Sequence, residues 1–266
     1  MKVYLLGIDC QYDFCNPNGK LFVKGADQDM IRLASMIKRL SKKIDAIYMT
    51  LDSHMEVHIA HPIFWVNSQG NHPNPFTLIT EEDVINGTWK AFNPEFQSRA
   101  IEYVKTLKAN GRYVLCIWPP HCIIGTKGCG FTDEIADALD FWNWENTNGD
   151  RVTCISKGTN IFTEHYSAIK ADVVDDCDPS TMLNTNLINS LNEADIIAVA
   201  GEALSHCVAN TVTDLCNSFG EENIKKLVLL EDATSNVPGF ENLGKDFITN
   251  MTKRGMKLSK TTDFLA

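Results

Sequence analysis

The chain has 266 residues, 44% apolar and 22% charged, the balance of an ordinary folded protein, which excludes disordered, collagen-like and low-complexity classes. Its 24 basic and 34 acidic side chains leave a formal charge of −10. Without any Lys/Arg block, that charge argues against nucleic acid or an anionic membrane as a partner.

Short β-rich apolar runs alternate with longer helical patterns. Val3–Asp9 reads as a buried parallel strand. Asp27–Lys43 carries Met30, Leu33, Ile37 and Leu40 on one helical stripe. Ile44–Leu51 reads as a second strand, and Glu95–Asn110 as a helix closed by Gly111. Tyr113–Trp118 predicts a strand stopped by Pro119-Pro120, and Arg151–Ser156 another. Thr181–Leu191 predicts a helix, Asp195–Ala200 a buried strand, His206–Phe219 a helix, Lys226–Leu230 a strand, and Asn242–Arg254 a last helix before Gly255. Two stretches stand apart: 61–94, which holds Pro62, Pro73, Pro75 and Pro94 and reads as a long ordered loop, and an irregular stretch from Gly125 to Asp150. The whole chain, 1–266, is expected to be one α/β domain, a three-layer α/β/α sandwich around a doubly wound, mainly parallel sheet, with loop insertions at about 61–94 and 131–150.

The nine cysteines are odd in number, scattered, and form no CxxC pair. The apolar run before Asp9 is too short for an export signal, and no run approaches the roughly 20 residues a membrane span needs. A cytoplasmic setting with mostly buried free thiols is expected.

In open parallel sheets, ligands bind beyond the carboxyl ends of the strands. Here Asp9, Asp52 with His54, His121, Lys157, and the segment Ala203–Cys207 each follow a strand. Cys207, placed where a helix begins, is expected to have its thiol pKa lowered by the helix N-terminus, whose N–H groups could also hold an oxyanion. Asp9 could take the thiol proton, with Lys157 stabilising the resulting anions. Asp52 and His54 in an Asp-x-His loop, joined by His121, make a candidate metal set that leaves open positions. His58 is a candidate further ligand, and His61 could serve likewise or as a plain loop residue. His72, His165 and His206 read as structural or solvated. Phe14, Trp118 and Tyr166 are candidate walls for a flat heteroaromatic substrate.

The motifs together resemble the isochorismatase-like cysteine hydrolases, and among them the nicotinamidases. GIDCQYDF (Gly7–Phe14) is similar to an "ID-x-Q-x-DF" opening, and TLDSHMEVHI (Thr50–Ile59) to a "T-x-D-x-H-x-x-x-HI" metal segment. WPPHCIIGT (Trp118–Thr126) is similar to "WP-x-HC-x-x-GT". ISKGTNIFTEHYSA (Ile155–Ala168) resembles the lysine segment, and AGEALSHCVANTVTDL (Ala200–Leu215) the nucleophile turn. The resemblance implies a catalytic triad of Asp9, Lys157 and Cys207, and one divalent ion (zinc first, iron or manganese as alternatives) on Asp52, His54 and His121. It also implies a cis peptide before Ala203 and an oxyanion hole from the Ala203 and Cys207 N–H groups. The activity implied is hydrolysis of nicotinamide to nicotinate and ammonia through a cysteine thioester, in NAD salvage. The partner is then a small-molecule amide, with a homo-oligomer compatible. The alternatives are an amidase of the same superfamily acting on a carbamoyl, ureido or larger amide, and a non-catalytic binding protein on the same fold. Departures from the pattern, the insertions together with Leu204 and Ser205, bear on the pocket rim and substrate rather than on the triad.

Overall fold

The computed structural model describes residues 1–111, 113–146 and 152–266. Six parallel strands form the central sheet: β1 (Val3–Ile8), β2 (Ala46–Asp52), β3 (Val152–Lys157), β4 (Ile196–Gly201), β5 (Leu227–Leu230) and β6 (Lys257–Ser259), in the order β6-β5-β4-β1-β2-β3. Side chains alternate across each strand, so β1 divides its burial between two cores. Val3 and Leu5 join the core formed with helix α1 (Ala26–Arg39), while Tyr4, Leu6 and Ile8 join the opposite core. Helices α4 (Thr185–Asn192), α5 (Ala209–Phe219) and α6 (Glu241–Arg254) cover that second face. The three layers expected from the alternating pattern are therefore present.

The strand sequence runs outward from β1 to β3, then returns to the other side of β1 with β4. The adjacent β1 and β4 thus meet at the switch point, where a crevice opens beyond their carboxyl ends. Ile8 is in register with Gly201, and the two backbones approach so closely there that a Cβ at Gly201 would lie 1.9 Å from the Ile8 carbonyl oxygen. Gly201 also has φ +112°, so only glycine fits this junction.

Two expectations are corrected. Tyr113–Trp118 is not a strand of the main sheet: Leu115–Cys116 pairs antiparallel with Leu78–Ile79, because β3 already occupies the position beside β2. The apolar character of this run comes instead from burial beneath helix α2 (Gln97–Ala109), whose Tyr103, Val104 and Leu107 share its core. The stretch Gly125–Asp150 is not irregular throughout: Asp133–Glu145 is helix α3, packed on α1. Its Ile135, Ala138, Leu139 and Trp142 are buried at helical spacing; residues 147–150 lie outside the described ones. The sixth strand, β6, was unforeseen. The segment 61–94 is ordered, with a two-stranded ladder, Trp65–Val66 against Lys90–Ala91, and a helix Glu81–Ile85 closed by a Thr80/Asp83 capping box.

Candidate active site

Every strand end at the switch point delivers a buried polar side chain. Asp9 follows β1 in a left-handed conformation (φ 47°), which an aspartate tolerates better than a branched residue. Its Oδ1 accepts the Thr50 hydroxyl at 2.5 Å, and its Oδ2 lies 2.8 Å from Lys157 Nζ. Lys157, the last residue of β3, is also 3.1 Å from Asp52 Oδ1 and 3.6 Å from Cys207 Sγ. Cys207 comes from the wide helical turn Leu204–Val208 that leads into α5. Lys157 thus bridges Asp9 and Cys207, the three being drawn from three strand ends.

Electrostatics assigns the protons. Burial pushes Asp9 upward despite Lys157. Burial also pushes the Cys207 thiol well above its usual value, Lys157 opposing this and Asp9 adding to it. The expectation of a thiolate favoured by a helix N-terminus is therefore corrected. At rest Cys207 is a thiol beside a carboxylate, because desolvation and a neighbouring negative charge outweigh the helix end. Burial disfavours a charged Lys157, but Asp52 and Asp9 outweigh it and hold the lysine as a cation.

Beside this triad, nitrogen donors converge. His54, His61 and His121 each offer a ring nitrogen within 4.8 Å of the others, all three buried. Asp52 Oδ2 is 3.0 Å from His54 Nε2 and 3.4 Å from His121 Nε2. The Nδ1 atoms of the three rings face the backbone carbonyls of Gly158, Glu56 and Pro119 at 3.0, 3.1 and 2.9 Å. A carbonyl can only accept, so each Nδ1 donates and each Nε2 lone pair turns inward in the neutral ring, the arrangement found around metal-ligating histidines. His61 Nε2 is buried without any hydrogen-bond partner. Burial opposes a charged His54, yet Asp52 outweighs it and lifts the ring to about 9, so an acid proton and a cation compete for the same nitrogen. Gly158 closes against the cluster; a Cβ there would come within 2.8 Å of His54 and 2.9 Å of Asp52 Oδ1.

His58 is placed differently. Its Nε2 donates to the Thr163 carbonyl at 3.2 Å and its Nδ1 accepts from Ala60 N at 3.2 Å, so both nitrogens are committed and His61, not His58, completes the histidine set. The sequence held both residues; which one turned inward depended on the backbone path after Asp52.

Between triad and histidines lies a pocket with about 360 Å³ of empty space, partly open to solvent. Phe14, Trp118 and Tyr166 line it as expected, together with Asp52, His121, Ala203 and Cys207. Trp118 Nε1 donates to the Tyr166 hydroxyl at 2.9 Å, fixing both rings. The peptide between Glu202 and Ala203 is cis. The N–H of Leu204 is committed to the Ser235 carbonyl at 2.8 Å. Two polar lining residues escaped the sequence reading. Glu164 is buried with its Oε2 unpartnered, and His206, read as structural or solvated, lines the pocket. His165 is buried, as a structural residue would be. Among the described residues, no helix is long and apolar enough to cross a membrane.

Comparison with known proteins agrees with this architecture. No family model matches the chain. Its sequence is 24% identical to the nicotinamidase of Schizosaccharomyces pombe over 212 residues, covering 78% of this chain and 73% of that protein. A yeast nicotinamidase bound to the inhibitor nicotinaldehyde superposes with a TM-score of 0.67 at 17% identity, covering 97% of this chain and 99% of the other. A pyrazinamidase of Pyrococcus horikoshii in complex with zinc superposes with a TM-score of 0.58 at 21% identity, covering 98% and 99%. The chain therefore has the three-layer α/β fold of the nicotinamidases and pyrazinamidases.

Proposed function

We propose that this protein is a metal-dependent nicotinamidase, hydrolysing nicotinamide to nicotinate and ammonia through a thioester on Cys207. The observation that carries the reading is the contact of Lys157 with both Asp9 and Cys207, where Cys207 lines an aromatic-walled pocket beside three inward-turned imidazoles.

The donor set Asp52, His54, His61 and His121 suits a first-row divalent ion, and the orphaned Nε2 of His61 is a buried lone pair that a cation would satisfy. We take zinc as the ion, as in the Pyrococcus pyrazinamidase complex. When bound, such an ion supplies a Lewis acid and a coordination point for a pyridine nitrogen.

The chain's own residues then perform acyl transfer. Phe14, Trp118 and Tyr166 hold the ring flat and present the carboxamide carbon to Cys207. Asp9 accepts the Cys207 proton as sulfur bonds to that carbon, and the carbonyl electron pair moves to oxygen. The Ala203 and Cys207 N–H groups receive the oxyanion; Leu204 cannot, since Ser235 holds its N–H. Asp9 returns the proton to nitrogen as the C–N bond breaks and ammonia leaves. A water molecule, deprotonated by Asp9, attacks the thioester carbon, and the proton restores the thiol. Lys157 remains cationic throughout, compensating whichever of Asp9 and Cys207 carries the negative charge. The upward shift of Asp9 suits a group that gains and loses a proton in each half-reaction.

On this reading the substrate is a freely diffusing small amide and the enzyme acts in the cytoplasm. Ammonia release from nicotinamide, run against ureido, carbamoyl and aliphatic amides with and without chelator, tests it. Nicotinamide is expected to be the preferred substrate and chelation to suppress turnover. Turnover of a ureido or carbamoyl compound with nicotinamide untouched would assign the protein to another amidase class.

A further inference from the structure

Two polar side chains that line the pocket, Glu164 and His206, are not used by the mechanism above. His206 precedes the nucleophile, is 5% exposed, and lines the pocket amid aromatic rings: Trp118 and Tyr166 both lie 5.4 Å away, centroid to centroid. Its Nδ1 is 2.9 Å from Ser205 Oγ. That same oxygen accepts the Val237 N–H at 3.1 Å.

These two contacts fix the ring's tautomer. Ser205 is fully buried, and His206 Nδ1 is the one acceptor within reach of its hydroxyl among the described residues. If Nδ1 carried the proton, Ser205 would receive two N–H groups and bury its own hydroxyl hydrogen without a partner, which is costly. With the hydroxyl donating to Nδ1, every group is satisfied, and the neutral ring carries its proton on Nε2. A carboxylate at 205 would do the opposite, accepting from Nδ1–H and leaving a neutral Nε2 as an acceptor. Burial keeps the ring neutral, drawing it down to about 4. Nε2 is not among the buried unsatisfied atoms, and among the described residues no protein group bonds it. It therefore faces the pocket.

We infer that His206 is a specificity residue whose Nε2–H, set as a donor by Ser205, favours heteroaromatic carboxamides bearing a second acceptor on the ring. This rests on the amidase reading above. The carboxamide end of a substrate belongs at Ala203 and Cys207, and the ring nitrogen at the histidine cluster. His206 packs on the rings that wall the remaining part of the pocket, so its donor meets the substrate ring rather than the reacting carbonyl. Nicotinamide leaves that donor without a ring partner; pyrazinamide, with one more ring nitrogen, can supply one. A donor matched in one substrate and not in the other separates the two by about five- to tenfold.

The test is the ratio of kcat/KM for pyrazinamide to that for nicotinamide, measured in the metal-loaded wild-type protein, in His206→Phe and in His206→Gln. Each variant is first checked for wild-type melting behaviour. The glutamine amide keeps an N–H near the position of Nε2, whereas phenylalanine keeps only the ring. We expect the ratio to fall about five- to tenfold in His206→Phe, with the change in KM, and to stay within about twofold of wild type in His206→Gln. An unchanged ratio in His206→Phe overturns the inference, as does a His206→Gln ratio that falls as far as the phenylalanine one, since shape rather than the donor would then decide. Wild-type protein that hydrolyses neither amide overturns the nicotinamidase reading and this inference together. Nicotinamide turnover with a ratio indifferent to residue 206 overturns the inference alone.

Discussion

Asp52 and Lys157 are register partners at the carboxyl ends of adjacent parallel strands, and one carboxylate thereby faces two different partners. These are an ammonium and an imidazole: its Oδ1 lies 3.1 Å from Lys157 Nζ and its Oδ2 3.0 Å from His54 Nε2. The acyl-transfer triad and the histidine cluster are therefore joined through a single side chain, and a change at Lys157 reaches both.

Lys157→Met leaves Asp9 and Asp52 buried without their shared cation. Removing one partner of such a buried ionic set costs about 3–5 kcal/mol. Urea unfolding of the variant should show a loss of this order together with loss of turnover. A variant within 1 kcal/mol of wild type, on the order of a surface ion pair, would mean that Lys157 does not compensate the two carboxylates.

For the metal set, His61→Asn should lower metal content at equilibrium with a fixed zinc concentration, because an inward lone pair is lost. His58→Asn should leave the metal stoichiometry unchanged, since both His58 nitrogens bond backbone groups. Equal metal loss in the two variants would show that the inward turn of His61 is not what holds the ion.

Five of the six sheet strands and most helices were legible, the strands as short apolar runs and the helices by a 3.6-residue stripe, because both patterns directly reflect burial. Asp9, Lys157 and Cys207 were legible too, each following a β-rich run. Helix α3 was missed although Ile135, Ala138, Leu139 and Trp142 carry a helical stripe, since the Trp- and Asn-rich sequence at its end obscured the pattern. Tyr113–Trp118 was misassigned because an apolar run reports burial, not which neighbour provides it. His61 was one of two options beside His58, and His206 was read as structural or solvated; whether a histidine turns inward depends on carbonyls and hydroxyls brought in from distant loops. The Cys207 proton likewise depends on the Asp9 carboxyl and on burial, neither of which spacing reveals.

Stability should fall in mild acid. His165 is held down to about 3, mainly by burial and then by the Lys157 charge, against about 6.5 in the unfolded chain. The native state keeps it neutral while the unfolded state binds a proton. Its contribution is therefore complete above pH 6.5 and declines by about 1.4 kcal/mol per pH unit as pH falls toward 3. In His165→Asn, whose amide oxygen can still accept the Gly158 N–H, the urea midpoint should fall less steeply between pH 6 and about 4. Identical slopes in variant and wild type would show that the native histidine is protonated as readily as the unfolded one.

The most direct test of the account is ammonia release from nicotinamide by wild-type protein and by Cys207→Ala, both loaded with the same amount of metal. The account predicts no turnover above background in the alanine variant, with metal content and fold retained. Turnover at the wild-type rate without the Cys207 sulfur would contradict it.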